Sequence, residues 1–561
     1  MPGAVAHYAA TSALAGHPPS KEMLIDIAQL EREYYERLPD LDDSSQLISF
    51  GSSGHRGSPL RGSFTEAHVL AITQAICDFR RDRGIDGPLY IGKDTHALSG
   101  PAQRTVVSVL IPNGVESVIQ CGDAPTPTPA VSRAIVEYNQ IRKGCFADGI
   151  AIAPSHQPPD CGRIKYHSPK GGPADAATNR WLEARANILL RNNNRDVKRM
   201  PYVGALRAVN AYQEDLALPY VRGLGSVIDM EAIRTTRVKL GVDPLGGASR
   251  QYWELIASIY GLQMELIGTG VDPTFGFMPV DRDGKIRMDC SSPFAMAWLI
   301  DRKDQYRVAF ANDPDAGRYG IVTPSSGLLD ANYVLAAAVH YLLTHRPRWP
   351  ESAAVGKSLV CSSVIDRVVR SLERHLVEVP MGFPWLVRGL SDGSFCFGGE
   401  ENGGASFLRR DGATWNTTSD GIIMSLLAGE MTARTGKDPG EYYRELTAQF
   451  GSPVYARIDV RATPEQRAAF RNLSPSAIRE TALAGQPILA KLTCIPGTDT
   501  PIGGLKVISS RGWFAARPCR SESFYRIYAE SLECPTHLLE IATDAQEIVS
   551  NALNGDHESR E

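Results

Sequence analysis

The 561-residue chain lacks a hydrophobic run long enough to cross a bilayer. Its longest apolar stretches, 334–339 and 422–428, are broken within about ten residues by His, Tyr, Gly or Glu, well short of the roughly 18 a spanning helix needs. An excess of one charge is missing too: Lys and Arg number 59 against 63 Asp and Glu, a net charge of −4. No global field therefore draws the chain to nucleic acid or an anionic membrane, and any bound anion must be held locally. The ten cysteines form no C-x-x-C pair, and the histidines show no paired metal-ligand spacing. A chain this large needs no disulfide staples, so the reading is of reduced, mostly buried thiols. The start, MPGAVAHYAATSALAGHPPSKEM, has no basic leader and no apolar core of about 7–15 residues, so no signal peptide is expected. Residues 1–40 read as a loose N-terminal arm of a cytoplasmic protein. No short-period repeat is found.

Apolar residues make up 43% and charged residues 22% of the chain, the balance of an ordinary globular protein. At roughly 100–200 residues per domain the length allows about three to five domains. Val69, Leu70, Ile72, Ile76 and Phe79 predict an amphipathic helix over 66–83, with Thr65 as cap and Gly84 as stop. Short apolar runs at 89–92, 118–120, 149–153, 238–242 and 308–311 each end in a loop rich in Gly, Pro or Asp and read as buried strands. Strands alternating with helices mean α/β layers. Turn residues at 201–204, 324–327 and 435–440 divide the chain beyond the arm into units 41–205, 206–323, 324–440 and 441–561. The last unit ends on a helical pattern over 536–553 carried by Leu538, Ile541, Ile548 and Val549.

Five loops could carry chemistry. Residues 50–57, FGSSGHRG, surround His55 and Arg56 with glycine and serine, so backbone N–H groups and a guanidinium could face an anion together; a plain turn is the other reading. Residues 153–175 come after a strand-like run and hold Ser155 beside His156, with Lys165 downstream. A serine at a strand's C-terminal end, in a loop stiffened by prolines, is a sensible nucleophile position; a Pro-rich surface turn is the alternative. Residues 312–320, NDPDAGRYG, place Asp313 and Asp315 on one short loop, where both carboxylates could meet a hard cation such as Mg²⁺ or form a solvated turn. Residues 398–404, GGEENGG, offer Glu400, Glu401 and Asn402 to sugar hydroxyls, or make a charged hairpin loop. Residues 517–522, RPCRSE, could bind phosphate through Arg517, Arg520 and Ser521, or remain a solvated Arg-rich turn. Two motifs mislead. Gly356-Lys357-Ser358 imitates the end of a P-loop whose first glycine would fall at Glu351, and the sequon at Asn416 has no secretory context.

Together with GKDTHALS (92–99), TPTPAVS (126–132), GVDPLGG (241–247), IRMDCSS (286–292) and GGLKV and GWFAARP within 503–518, these loops resemble bacterial α-D-phosphohexomutases of the phosphoglucomutase kind, from about residue 47 to 549. The resemblance implies four domains around a central cleft, three related α/β/α domains and a C-terminal α+β domain. It implies interconversion of glucose 1-phosphate and glucose 6-phosphate, with Ser155 carrying a phosphoryl group, Mg²⁺ as cofactor and glucose 1,6-bisphosphate as activator. Residue by residue, it gives Ser155, His156, Arg56 and Lys165 catalytic roles, and makes Ser155, Asp313 and Asp315 metal ligands. Arg318, Glu400, Asn402, Arg517, Arg520 and Ser521 become substrate contacts. The partner is a small hexose phosphate, with no nucleic acid or membrane, and the chain a monomer or homodimer.

The departures from the family pattern fall in the functional loops. Gly317 replaces the third aspartate of DPDxD; the serine loop has Ala153, Gln157 and Arg163 for threonine, asparagine and glycine. Asn402 replaces a serine and Pro384 a lysine, and the phosphate loop has Cys519, Arg520 and Ser521 for Ser, Gly and Thr. The sequence thus leaves two expectations: a mutase, or a catalytically inactive paralogue that binds a sugar phosphate.

Overall fold

The computed structural model describes residues 6–7, 11–51, 54–142, 144–268, 270–470, 473–519 and 524–554. Four sheets organise them. The first has the order Phe50–Gly51, Gly54–Gly57, Gly162–His167, Asp148–Ile152, Leu89–Lys93, Ser117–Gln120, Ala211–Glu214. The expected helix forms as Glu66–Arg83, with Thr65 and His68 making a reciprocal cap and Gly84 ending it at φ +63°. Its apolar face packs into the core that Ile91, Ile150 and Ile164 build from the sheet.

The second sheet runs Met264–Leu266, Leu240–Asp243, Val308–Asn312, Tyr319–Thr323, Gly327–Leu328, and the third Leu376–Val379, Ala354–Ser358, Phe395–Glu400, Gly404–Phe407. All three share one plan. Three parallel strands lie side by side, and the chain leaves the third through a hairpin into an antiparallel neighbour. In the first sheet that hairpin joins Asp148–Ile152 to Gly162–His167, in the second Val308–Asn312 to Tyr319–Thr323, and in the third Phe395–Glu400 to Gly404–Phe407. The unit therefore recurs in structure without recurring in sequence. Helix Gly421–Thr435, buried over most of its length, joins the second and third domains into one core.

The fourth domain is the expected α+β unit, an antiparallel sheet of strands including Val454–Arg461, Phe524–Ser531, Gly512–Pro518 and Pro501–Ser509, covered by helix Pro535–Asn554.

The arm is not loose. Helix Ile27–Glu36 buries Leu30 and Tyr34 in the first core, with the Tyr34 hydroxyl donating to Thr105 Oγ1 at 3.0 Å. Upstream, Gly16 N donates to Val280 O and Val280 N to His17 O, at 2.8 and 2.9 Å, and Ala6–His7 pairs in parallel with Ala456 and Arg457 of the fourth sheet. Backbone pairing and an aromatic anchor fix a segment whose composition alone reads as unstructured.

The expected unit boundaries shift for the same reason. Ala211–Glu214 completes the first sheet beyond 205, Gly327–Leu328 still pairs with the second beyond 323, and helix Pro439–Phe450 packs into the third domain's core beyond 440. The P-loop imitation is a buried strand whose Lys357 pairs with Asp366 and Glu378, and Asn416 is buried against Asp420.

Candidate active site

The hairpins of the first three domains converge with the fourth sheet on one cleft of about 490 Å³. Arg56, Ser155, His156, Lys165, Asp313, Asp315, Arg318, Glu400, Asn402 and Arg517 all line it. Arg520 and Ser521 lie outside the described residues.

Ser155 comes just after strand Asp148–Ile152 and sits at φ +64°, a left-handed conformation that non-glycine residues rarely adopt and that turns the hydroxyl into the cleft. Its backbone N–H donates to Asp94 Oδ2 at 3.2 Å. Asp94 also accepts from Ser99 Oγ at 2.6 Å and pairs with His96, whose far nitrogen lies 3.2 Å from Gln157 O. The Asp94–His96 pair therefore clamps the serine loop from beneath. The GKDTHALS block carried that signal as a family match, without saying what the two residues hold.

The Ser155 hydroxyl donates to the Asp313 carboxylate, and His156 Nδ1 lies 3.3 Å from the serine Oγ. Burial, reinforced by the Arg318 charge, holds His156 well below the usual imidazole range, so the ring is neutral near pH 7. Lys165 Nζ donates to Asp315 Oδ2 at 2.7 Å, and Thr128 Oγ1 donates to the same oxygen at 2.9 Å. Burial and then the neighbouring Asp315 push Asp313 up to about 7. Burial is the strongest single influence on Asp315 and opposes its ionisation, but the charge and hydrogen bond of Lys165, the Arg163 charge and the Thr128 hydrogen bond together hold it below the ordinary carboxylate range. Asp315 is thus the ionised partner of Lys165, while Asp313, raised toward neutrality, can exchange a proton beside Ser155.

Along strand Gly54–Gly57, His55 and Arg56 alternate. His55 is buried between Ser49 and Ser63 and stacks near Phe64 and His68; burial and His68 bring it down to about 3, so it belongs to the scaffold. Arg56 faces the cleft. In the third hairpin, Glu400 Oε1 accepts from Gly382 N at 2.7 Å, and burial followed by Glu401 raises Glu400 to about 7. Asn402 accepts from Gly404 N at 3.0 Å, bracing its own turn. Pro384 opens helix Pro384–Asp392 at the cleft wall, the first helical turn being where proline is tolerated.

The fourth domain adds Arg457, Arg517 and Arg526. Arg457 escaped sequence reasoning because a basic residue in the middle of strand Val454–Arg461 has no local signal. Among the described residues, no group of three or more His, Cys, Asp or Glu side chains is arranged to hold a metal ion. Asp313 and Asp315 form a two-carboxylate set, which suits Mg²⁺ only when phosphoryl oxygens complete its shell.

Family signatures described as phosphoglucomutase/phosphomannomutase alpha/beta/alpha domains I, II and III match residues 47–190, 218–327 and 330–450. The chain is 50% identical over 539 residues, 96% of its length and 97% of the other's, to a Komagataeibacter xylinus protein named phosphoglucomutase. It is 24% identical over 491 residues, 86% of the chain and 94% of the other, to a phosphoglucomutase/phosphomannomutase of Thermococcus kodakarensis. A solved structure of a phosphoglucomutase/phosphomannomutase family protein from Burkholderia thailandensis shares the fold, with a TM-score of 0.69 at 19% identity over 92% of this chain and 99% of that one.

Proposed function

We infer the activity from one premise: the chain belongs to the phosphoglucomutase/phosphomannomutase family. It is a phosphoglucomutase-like isomerase that interconverts glucose 1-phosphate and glucose 6-phosphate through a phosphorylated Ser155, with glucose 1,6-bisphosphate as intermediate and activator. The observation that carries this reading is the Ser155 hydroxyl, turned by its left-handed backbone onto Asp313 in a cleft walled by all four domains.

In the first half-reaction the Ser155 Oγ–P bond breaks as a sugar hydroxyl oxygen bonds to phosphorus, and the proton that hydroxyl loses is passed through the cleft to the departing Oγ, which becomes a free hydroxyl resting on Asp313. The bisphosphate then turns over. In the second half-reaction the O–P bond at the other end of the sugar breaks as Ser155 Oγ bonds to phosphorus, and the serine's hydroxyl proton passes by way of the groups beside it to the departing sugar oxygen, which leaves as a hydroxyl. Acceptors for that proton are in place, since the hydroxyl rests on Asp313 with a neutral His156 nitrogen 3.3 Å away. Arg56, Lys165 and Arg318 neutralise the phosphoryl oxygens, the main demand of phosphoryl transfer. Mg²⁺, when bound, would be held by Asp313, Asp315 and an oxygen at Ser155, and would add to that neutralisation. Glu400 and Asn402 meet the sugar hydroxyls, while Arg517, with Arg520 and Ser521, takes the distal phosphate.

The test is conversion of glucose 1-phosphate to glucose 6-phosphate by purified protein with Mg²⁺ and a trace of glucose 1,6-bisphosphate. Turnover is expected, falling by more than about 10⁴-fold in Ser155→Ala. Saturable glucose 1-phosphate binding by calorimetry without turnover above that blank would reduce the protein to a sugar-phosphate binder.

A further inference from the structure

The positive charge that phosphoryl transfer demands is partly built into this chain, at a residue outside the expected site set. Strands Gly54–Gly57 and Gly162–His167 pair antiparallel with Arg56 directly opposite Arg163, so both side chains rise from one face of the sheet. Lys165, two residues further on, shares that face. All three line the cleft beside Ser155, Asp313 and Asp315, with Arg163 only 5% and Lys165 only 8% exposed. The charges that bear on Arg163 are those of Arg56, Asp315, Arg318 and Asp313.

The facing loop is short of acid. An ideal Cβ on Gly317 would lie 3.4 Å from Asp315 Oδ1 and 3.2 Å from Ser419 Oγ, so a side chain there would stand against the Asp315 carboxylate, and glycine leaves the place without one. The two carboxylates that remain are already engaged, Asp315 by Lys165 and Thr128, and Asp313 by Ser155 and the Arg318 N–H at 2.9 Å. A divalent ion entering this loop alone would meet two occupied carboxylates under three fixed cations. Mg²⁺ surrenders its water reluctantly and needs near-octahedral oxygen donors, so this arrangement repels it until phosphoryl oxygens arrive.

We propose that Arg163 and Gly317 act as a matched pair that moves positive charge from a bound Mg²⁺ onto the chain: the guanidinium of Arg163 serves the phosphoryl group at Ser155, and the unphosphorylated protein holds no divalent cation of its own. The inference rests on Ser155 as the phosphoryl carrier. A guanidinium presents several donors in a fixed plane to phosphate oxygens and stays charged at neutral pH, which suits it to that duty.

The test reads cation binding directly, by Mn²⁺ paramagnetic resonance and Mg²⁺ calorimetry on dephosphorylated protein, so its outcome does not depend on whether the mutase reading holds. The native protein is expected to show no saturable site at millimolar Mn²⁺ or below. The double variant Arg163→Gly with Gly317→Asp is expected to gain one, about 10- to 100-fold tighter than either single change. Arg163→Gln tests the charge without putting glycine into a strand, and Arg163→Lys should behave as native. A tight site in the native protein, or one unaffected by Arg163→Gln and by the double change in folded protein, would overturn the proposal. In the activity assay, Arg163→Gln should steepen the dependence of rate on Mg²⁺ concentration while Arg163→Lys leaves it shallow; identical metal profiles would count equally against it.

Discussion

The hairpin that follows Ile152 and the one that follows Asn312 occupy the same place in two copies of one architectural unit, yet they carry opposite charge. The first presents Ser155, Arg163 and Lys165, the second Asp313 and Asp315, and they meet through the Ser155–Asp313 and Lys165–Asp315 hydrogen bonds. Each turns on a non-glycine residue in left-handed backbone, Ser155 at φ +64° and Ala316 at φ +53°. The unit therefore supplies a position and a direction, and residue choice at its tip supplies the chemistry. A nucleophile with cations on one tip and acids on the other makes a site that neither domain holds by itself.

Severing the two tips should have the largest effect. Lys165 and Asp315 are both buried, so Lys165→Met leaves a carboxylate in the interior without its ammonium partner. The expected loss is about 3–5 kcal/mol of stability, read by chemical denaturation. The rate should fall by about 10²- to 10³-fold in the protein that remains folded, because a charge at the phosphoryl group is removed as well. Unchanged stability would mean that the tips are held by the rest of the cleft and not by this pair.

The third hairpin sharpens the comparison, because there two acids lie side by side. Burial and Glu401 raise Glu400 from the ordinary glutamate value of 4.5 to about 7. Between those values the folded protein binds more protons than the unfolded chain, so this group makes stability fall as pH rises through that window. The slope is at most about 1.4 kcal/mol per pH unit. Glu400→Gln, which keeps the acceptor for the Gly382 N–H, should flatten the fall in melting temperature between pH 5 and 7. An equal slope in both proteins would show that Glu400 titrates normally.

These contacts were legible in the sequence to unequal degrees. The helix over 66–83 and the strands before each loop stand out because apolar spacing and caps are local signals. The cleft residues stand out because loop motifs retain their order even where single positions have drifted. Contacts between distant segments leave no such mark. Thr128 reaches Asp315 across 187 positions, and the arm's pairing with Val280 and with Ala456 depends on where three domains bring their edges. The shared plan of the three sheets reaches the sequence only through the family resemblance, since backbone topology repeats while the residues on it do not. Arg163 was visible as a departure from a glycine, but its place opposite Arg56 appears only once the strand register is known.

The smallest expected effect tests the backbone half of the comparison. Ala316 is fully buried at φ +53°, where an L side chain is strained and glycine is not, and its N–H closes the turn on Asp313 O at 2.7 Å. Ala316→Gly relieves that strain but frees the unfolded chain and deletes a buried methyl, so the opposing contributions leave a net change below about 1 kcal/mol. Its consequence should show in the loop's order. With glycine at both 316 and 317, the turn just after the two aspartates has no Cβ to restrain it, and the Ser155–Asp313 hydrogen bond is held less firmly. Faster amide exchange across residues 313–318 at nearly unchanged melting temperature is the expected result. A large loss of stability would show instead that the Ala316 methyl packs as part of the core, so that the second tip is fixed by burial where the first is fixed by the Asp94 clamp.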